Sequence, residues 1–157
     1  MNIVWSTKTI VFSELDPLIS TLLRQLADCA EADDAAACDR IYSTPTRGAD
    51  EEMDDEWLEH VKPGLRELFA THTDRVRADL ATLPDGENAT LTVPTAHAPA
   101  WVHTLNQARL ALAARHDIAE ADMEGERAPK DQDAAYALLQ IEIYGAILGL
   151  LLQHTDI

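Results

Sequence analysis

Basic residues are scarce in this chain. Twelve Lys and Arg stand against 28 Asp and Glu in 157 residues, for a formal net charge of −16. That balance argues against direct binding to nucleic-acid phosphates, which depends on clustered Lys and Arg. Cysteine is almost missing too. Cys29 and Cys38 are the only two, too few for a zinc site and without a Cys-x-x-Cys spacing or a nearby His. Neither a Gly-rich phosphate loop, a Gly-x-Ser-x-Gly elbow nor a His-Glu-x-x-His helix occurs, so nucleotide hydrolysis, α/β-hydrolase chemistry and zincin chemistry have no motif to rest on. The opening stretch from Met1 to Phe12 has no basic region followed by an apolar run and a small-residue cleavage site. The expectation is a cytoplasmic protein whose two thiols are reduced.

What is present suits one domain over residues 1–157, built round a single sizeable core. Ile3 to Trp5 and Thr9 to Phe12 are short β-prone runs on either side of Ser6-Thr7-Lys8, and read as a hairpin. Ala89 to Val93 alternates like a third strand, which needs that hairpin as its partner because one short strand cannot stand alone. Asp16 before Pro17 is an N-cap followed by a favoured first helical residue. Leu15, Leu18, Ile19, Leu22, Leu23 and Leu26 then form an apolar face. Ala35 to Tyr42 reads as a short helix, and Ser43 to Asp50 as a loop.

Helix resumes near Glu51, with Met53, Trp57, Leu58 and Val61 expected to face inward, and breaks at Pro63 and Gly64. Beyond it Leu65, Leu68, Phe69, His72, Val76, Leu80 and Leu83 mark one face of a long helix. Arg75 and Asp79 are spaced to pair along its surface. A further helix from Ala98 to His116 carries the stripe Trp101, Leu105, Ala108 and Leu112. The fold class is α+β and predominantly α-helical, with a small antiparallel sheet packed on a helical core and a long C-terminal helix hairpin.

Ala134 to Gln153 closes the chain and is apolar on nearly every side, so neighbours or lipid must cover it. It approaches the roughly 20 residues needed to span a bilayer. Gln140 and Glu142 near its middle, an acidic flank and missing basic anchors favour a place in a core, with no membrane partner. Gly145 and Gly149 lie four apart on one face, where another backbone can approach closely. Glu142, alone among apolar residues, is expected to pair with Arg109 on the preceding helix. The same residues define one candidate binding site: Asn106 and Arg109, three apart, with Glu142 and His72, able to grip a carboxylate or carbonyl. A core histidine held by a hydrogen bond is the plainer reading of His72.

Two stretches concentrate the acid. Residues 31–59 hold eleven carboxylates and residues 117–133 hold seven; with their four Arg and Lys they carry −14 of the net charge. Asp50, Glu51, Glu52, Asp54, Asp55, Glu56 and Glu59 form the densest run, a candidate docking surface for a basic protein and also a natural complement to a helix N-terminus. Glu120, Asp122, Glu124 and Gly125 echo the start of a calcium loop. Glu in place of the first Asp, Asp131 where a bidentate Glu belongs, and Pro129 all depart from it, so no metal and no cofactor are expected. A disulfide between Cys29 and Cys38, acting as a redox switch, is a third reading.

The segments Leu15 to Cys29, Arg40-Ile41-Tyr42, Asp55 to Phe69 and above all Ala100 to Ile118 resemble a bacterial family known only as domain of unknown function number twenty-seventeen. The most specific part is Trp101, Leu105, Asn106, Arg109, Leu110, Leu112 and Ala113. The resemblance implies a small, mostly helical cytoplasmic protein with a minor sheet, and supplies no reaction, cofactor or catalytic residue. Relatives encoded in some bacteria near the adaptor of the Clp protease imply regulation or protein turnover. The leading expectation is therefore a non-enzymatic regulatory or interaction protein, a monomer or homodimer, that engages a basic protein through its acid. A small-molecule or metal-binding protein is the alternative.

Overall fold

In the computed structural model, which describes residues 1–154, the turn at Ser6 is closed by its own polar groups. Ser6 N–H donates to the Thr9 carbonyl at 2.8 Å, and the Ser6 hydroxyl accepts from Thr9 N–H at 3.0 Å. This holds β1 (Asn2–Trp5) against β2 (Thr9–Leu15) in the register Trp5 with Ile10 and Ile3 with Phe12. β3 (Ala89–Pro94) pairs with the other edge of β2, giving an antiparallel sheet in the order β1-β2-β3.

Ile10 and Phe12 alternate onto the buried face, as do Ala89, Leu91 and Val93. Leu15 is buried as well, although residues three apart cannot share a face of a regular strand. The register shift between Phe12 and Leu15 resolves this. Glu14, at φ 54°, takes up the extra residue and turns Leu15 back to the core.

Four helices begin on an aspartate. Asp16 accepts from Ile19 N–H at 2.8 Å at the start of α1 (Pro17–Ala30), and Asp34 from Ala37 at 3.1 Å at α2 (Ala35–Ile41). Asp50 accepts from Met53 at 3.1 Å at α3 (Glu51–His60), and Asp131 from Ala134 at 2.8 Å at α7 (Gln132–Leu152). Each cap satisfies an orphan donor and is worth about 1 kcal/mol. Between α3 and α7 lie α4 (Lys62–Leu80), α5 (Ala98–Arg115) and the single turn α6 (Glu120–Met123). Pro63, in the first turn of α4, enforces the break from α3 at Val61.

The architecture is α+β and mainly helical. α5 is its centre, with α1, α2, α4 and α7 all packed on it. Trp101 is fully buried against Phe12, ring centroids 5.3 Å apart, so the helix and the sheet share one core. Its indole N–H donates to Asp79 at 2.9 Å. Tyr144 of α7 is buried and donates to the Leu22 carbonyl of α1 at 2.5 Å. A smaller apolar cluster gathers Ala32, Ala37, Tyr42 and Ala111 beneath Trp57 and Phe69.

Several expectations are corrected. Leu18 and Leu68 are about half exposed, as are Met53, Leu58 and Val61; on α3 the buried residue is Asp54, with Trp57 half-buried beside it. Asp79 does not pair with Arg75: its oxygens take Trp101 and, at 2.9 Å, His97. α7 is covered on one side only. Glu142, Ala146, Gly149 and Leu152 face outward, so a helix long and apolar enough by composition to cross a membrane is here 39% buried over its most apolar stretch.

Candidate functional site

Seven acids fall within Asp50 to Glu59, and local geometry divides them. Counting 100° per residue from Asp54, Trp57, Leu58 and Val61 lie within about 60° of it, and from Glu51 at about 60° the acids run through Asp55, Glu59 and Glu52 to Glu56 round the far side. All five are exposed. Glu59 has only the neighbouring His60 at 3.8 Å among described ion pairs, and the other four have none. Asp50 belongs to the fold as the α3 cap.

Asp54 belongs to the fold as well. It accepts from Thr46 N–H at 3.0 Å, the Thr46 hydroxyl at 2.8 Å and Gly48 N–H at 2.7 Å. Burial works to raise its pKa, but these donors outweigh it and hold the carboxyl below the ordinary Asp value. The loop from Ser43 to Asp50 is thereby closed over a carboxylate, with Arg47 and Gly48 at positive φ, 51° and 92°. The candidate partner surface is therefore five residues wide, not seven.

The second candidate site does not assemble. Glu142 is exposed and no described ion pair joins it to Arg109; the open side of α7 gives its carboxylate water instead. Arg109 lies over Gly145, with its Nε buried and without a partner among the described residues. Asn106 and His72 do share a place, a shallow cleft of about 480 Å³ between α4, α5 and the end of α7, and His103 lies there with them.

Sequence reasoning missed His103. Its ring stands 4.9 Å from that of His72 and 4.3 Å from Phe69, and its Nε2 is 2.8 Å from the Gln107 side chain. Burial holds the His103 pKa below the ordinary value, against the Gln107 bond and with a lesser push from His72. The i, i+4 spacing of His103 and Gln107 was the available signal.

Cys29 and Cys38 are free thiols with different neighbours. Gln140 donates to Cys29 Sγ at 3.4 Å where α1 meets α7, and burial pushes that thiol's pKa up. Lys62 donates to Cys38 Sγ at 3.5 Å, at the second cluster. In the calcium-like segment Asp122 accepts from Ala119 N–H at 2.8 Å and from Arg127 at 2.7 Å, so its oxygens are committed to a turn and a cation.

Residues 10–155 match the family described as domain of unknown function (DUF2017). No curated protein and no solved structure matches the chain.

Proposed function

The chain belongs to the DUF2017 family, and from the geometry of α3 we propose that it is a non-enzymatic regulatory protein of the bacterial cytoplasm that docks a basic protein partner. The observation that carries this reading is the unpaired acid of one helix face. Among the described residues some carboxylates elsewhere find cations within the fold, Asp28 and Glu31 with Arg77, Asp34 with Arg115, Asp85 with Arg24 and Asp117 with Lys130, while others such as Glu67 and Glu142 do not. Glu51, Glu52, Asp55 and Glu56 have none among the described residues, and they adjoin one another.

Such a face attracts a basic surface, raises the encounter rate and rejects acidic competitors. Exposed Met53 flanks it and supplies apolar contact once a partner has arrived. Because α3 packs chiefly on α4, its outer side is open along the whole helix. α7 supports a protein that works away from the bilayer, since Ile141, Tyr144, Ile147 and Leu151 are spent on the core.

The test is affinity capture from a cell extract at physiological salt, with the wild type and a variant in which Glu51, Glu52, Asp55, Glu56 and Glu59 become Gln or Asn. A basic protein recovered by the first and lost by the second is the expected result. Recovery of the same proteins by both removes the proposal.

A further inference from the structure

Cations as well as acids are unevenly used in this fold. Of the twelve Lys and Arg, Arg24, Arg77, Arg115, Arg127 and Lys130 each reach a carboxylate. The other seven, among them Arg40, Arg47, Lys62 and Arg66, reach none among the described residues, although acids outnumber bases more than twofold. Those four lie around Tyr42, Arg66 outside the cleft that the other three line. Arg40, Arg47 and Lys62 line a cleft of about 650 Å³ beside Tyr42, bounded by α2, the loop of residues 43–50 and the α3–α4 junction. Lys62 Nζ and Arg66 Cζ stand 5.8 and 5.5 Å from the centre of the Tyr42 ring.

That arrangement costs the free protein something. Lys62 and Arg66 are one helical turn apart, where like charges repel. Among the described residues the Lys62 ammonium has only the weak acceptor Cys38 Sγ, leaving donors to spare. Asp39 is the single carboxylate in a lining that holds three cations. Ser43 and Thr44 add hydroxyls, while Ala36, Leu58 and Ala114 add an apolar wall. The backbone that carries Arg47 is fixed in advance by the grip of Asp54 on Thr46 and Gly48.

We propose that this cleft binds a small organic phosphate, its phosphate held by Arg40, Arg47 and Lys62 and its apolar body against Leu58 and Ala114. A phosphate monoester, with close to two charges and three acceptor oxygens at neutral pH, suits three cations arriving from different elements, whereas a carboxylate is satisfied by one guanidinium fork. The volume lies in the range of small-molecule sites and is far larger than one phosphate needs. The net charge of −16 opposes any anion, but charges farther than about 8 Å are largely screened at physiological salt, so the local cations decide. The inference is independent of the docking role of α3 and is tested separately.

Cys38 lies in the same cleft and reports on its occupancy. The full-length wild type is alkylated with iodoacetamide in the presence of phenyl phosphate, inorganic phosphate or potassium sulfate at matched ionic strength, and mass-spectrometric fragmentation separates Cys38 from Cys29. Phenyl phosphate is expected to slow modification of Cys38 saturably and leave Cys29 unchanged. Arg40→Gln and Arg47→Gln, both at exposed positions, should raise the concentration giving half-protection at least about tenfold, the effect of one lost hydrogen bond to a charged group. Lys8→Gln and Arg75→Gln remove the same charge away from the cleft and should leave it unmoved. Unchanged Cys38 reactivity in phenyl phosphate overturns the proposal. So does equal protection by inorganic phosphate, which would make this a simple anion site, or an equal effect of all four substitutions, which would reduce it to net charge.

Discussion

The Arg109 guanidinium lies across Gly145: a Cβ built on that glycine would stand 3.2 Å from Arg109 Nε. Gly149, one turn further along α7, has nothing within 4 Å of the same position. The pair therefore separates helix propensity from packing. Gly149→Ala should stabilise the protein by about 0.5–1 kcal/mol, the ordinary gain of Ala over Gly inside a helix. Gly145→Ala should gain less, because the arginine must move. In an Arg109→Ala background the two should become alike, and a double-mutant cycle by denaturant unfolding measures the difference.

Asp79 ties α4 to the start of α5 through Trp101 and His97. Asp79→Ala leaves the indole N–H of a fully buried tryptophan without its acceptor, and should cost about 1–3 kcal/mol. Asp79→Asn keeps a carbonyl oxygen there and should cost less. Chemical denaturation of the two variants checks both the size and the order.

Asp54 should make the loop of residues 43–50 sensitive to acid. Its pKa is held below the ordinary Asp value in the fold, so its stabilising effect is fully present above the unfolded-state pKa, about 3.9, and is lost as pH falls through the lower folded value. Amide exchange at Thr46 and Gly48, corrected for intrinsic rates, should accelerate in that acid range. Asp54→Asn should show the faster exchange already at neutral pH.

These residues also mark how far the sequence alone could be read. Helix starts at Asp16 and the break at Pro63 were legible because caps and prolines act within a turn of themselves. The sheet was legible too, since Ile10, Phe12, Leu91 and Val93 alternate. The inward face of α3 was not. Periodicity placed Met53, Leu58 and Val61 inside, but the neighbouring loop needed an acceptor for Thr46 and Gly48, and Asp54 took the buried position.

Glu142 was misplaced for another reason. A helix apolar on nearly every side suggests cover on every side, and the number of neighbours that α7 receives depends on how α1 and α5 are packed. The cleft at Arg40, Arg47 and Lys62 had no local signal at all. Its cations come from a helix end, a loop and the start of another helix, and only the folded chain brings them together.

The proposed docking of a basic protein on α3 is tested by the affinity of the captured partner, purified, for this chain at two salt concentrations. Binding should weaken as salt rises, and should fall at least about tenfold when Glu51, Glu52, Asp55, Glu56 and Glu59 are neutralised, with the salt dependence largely gone. Neutralising Glu120, Glu124 and Glu126 in the other acidic stretch should change little. Equal affinity in the α3 variant, or equal loss from the other stretch, would contradict the claim.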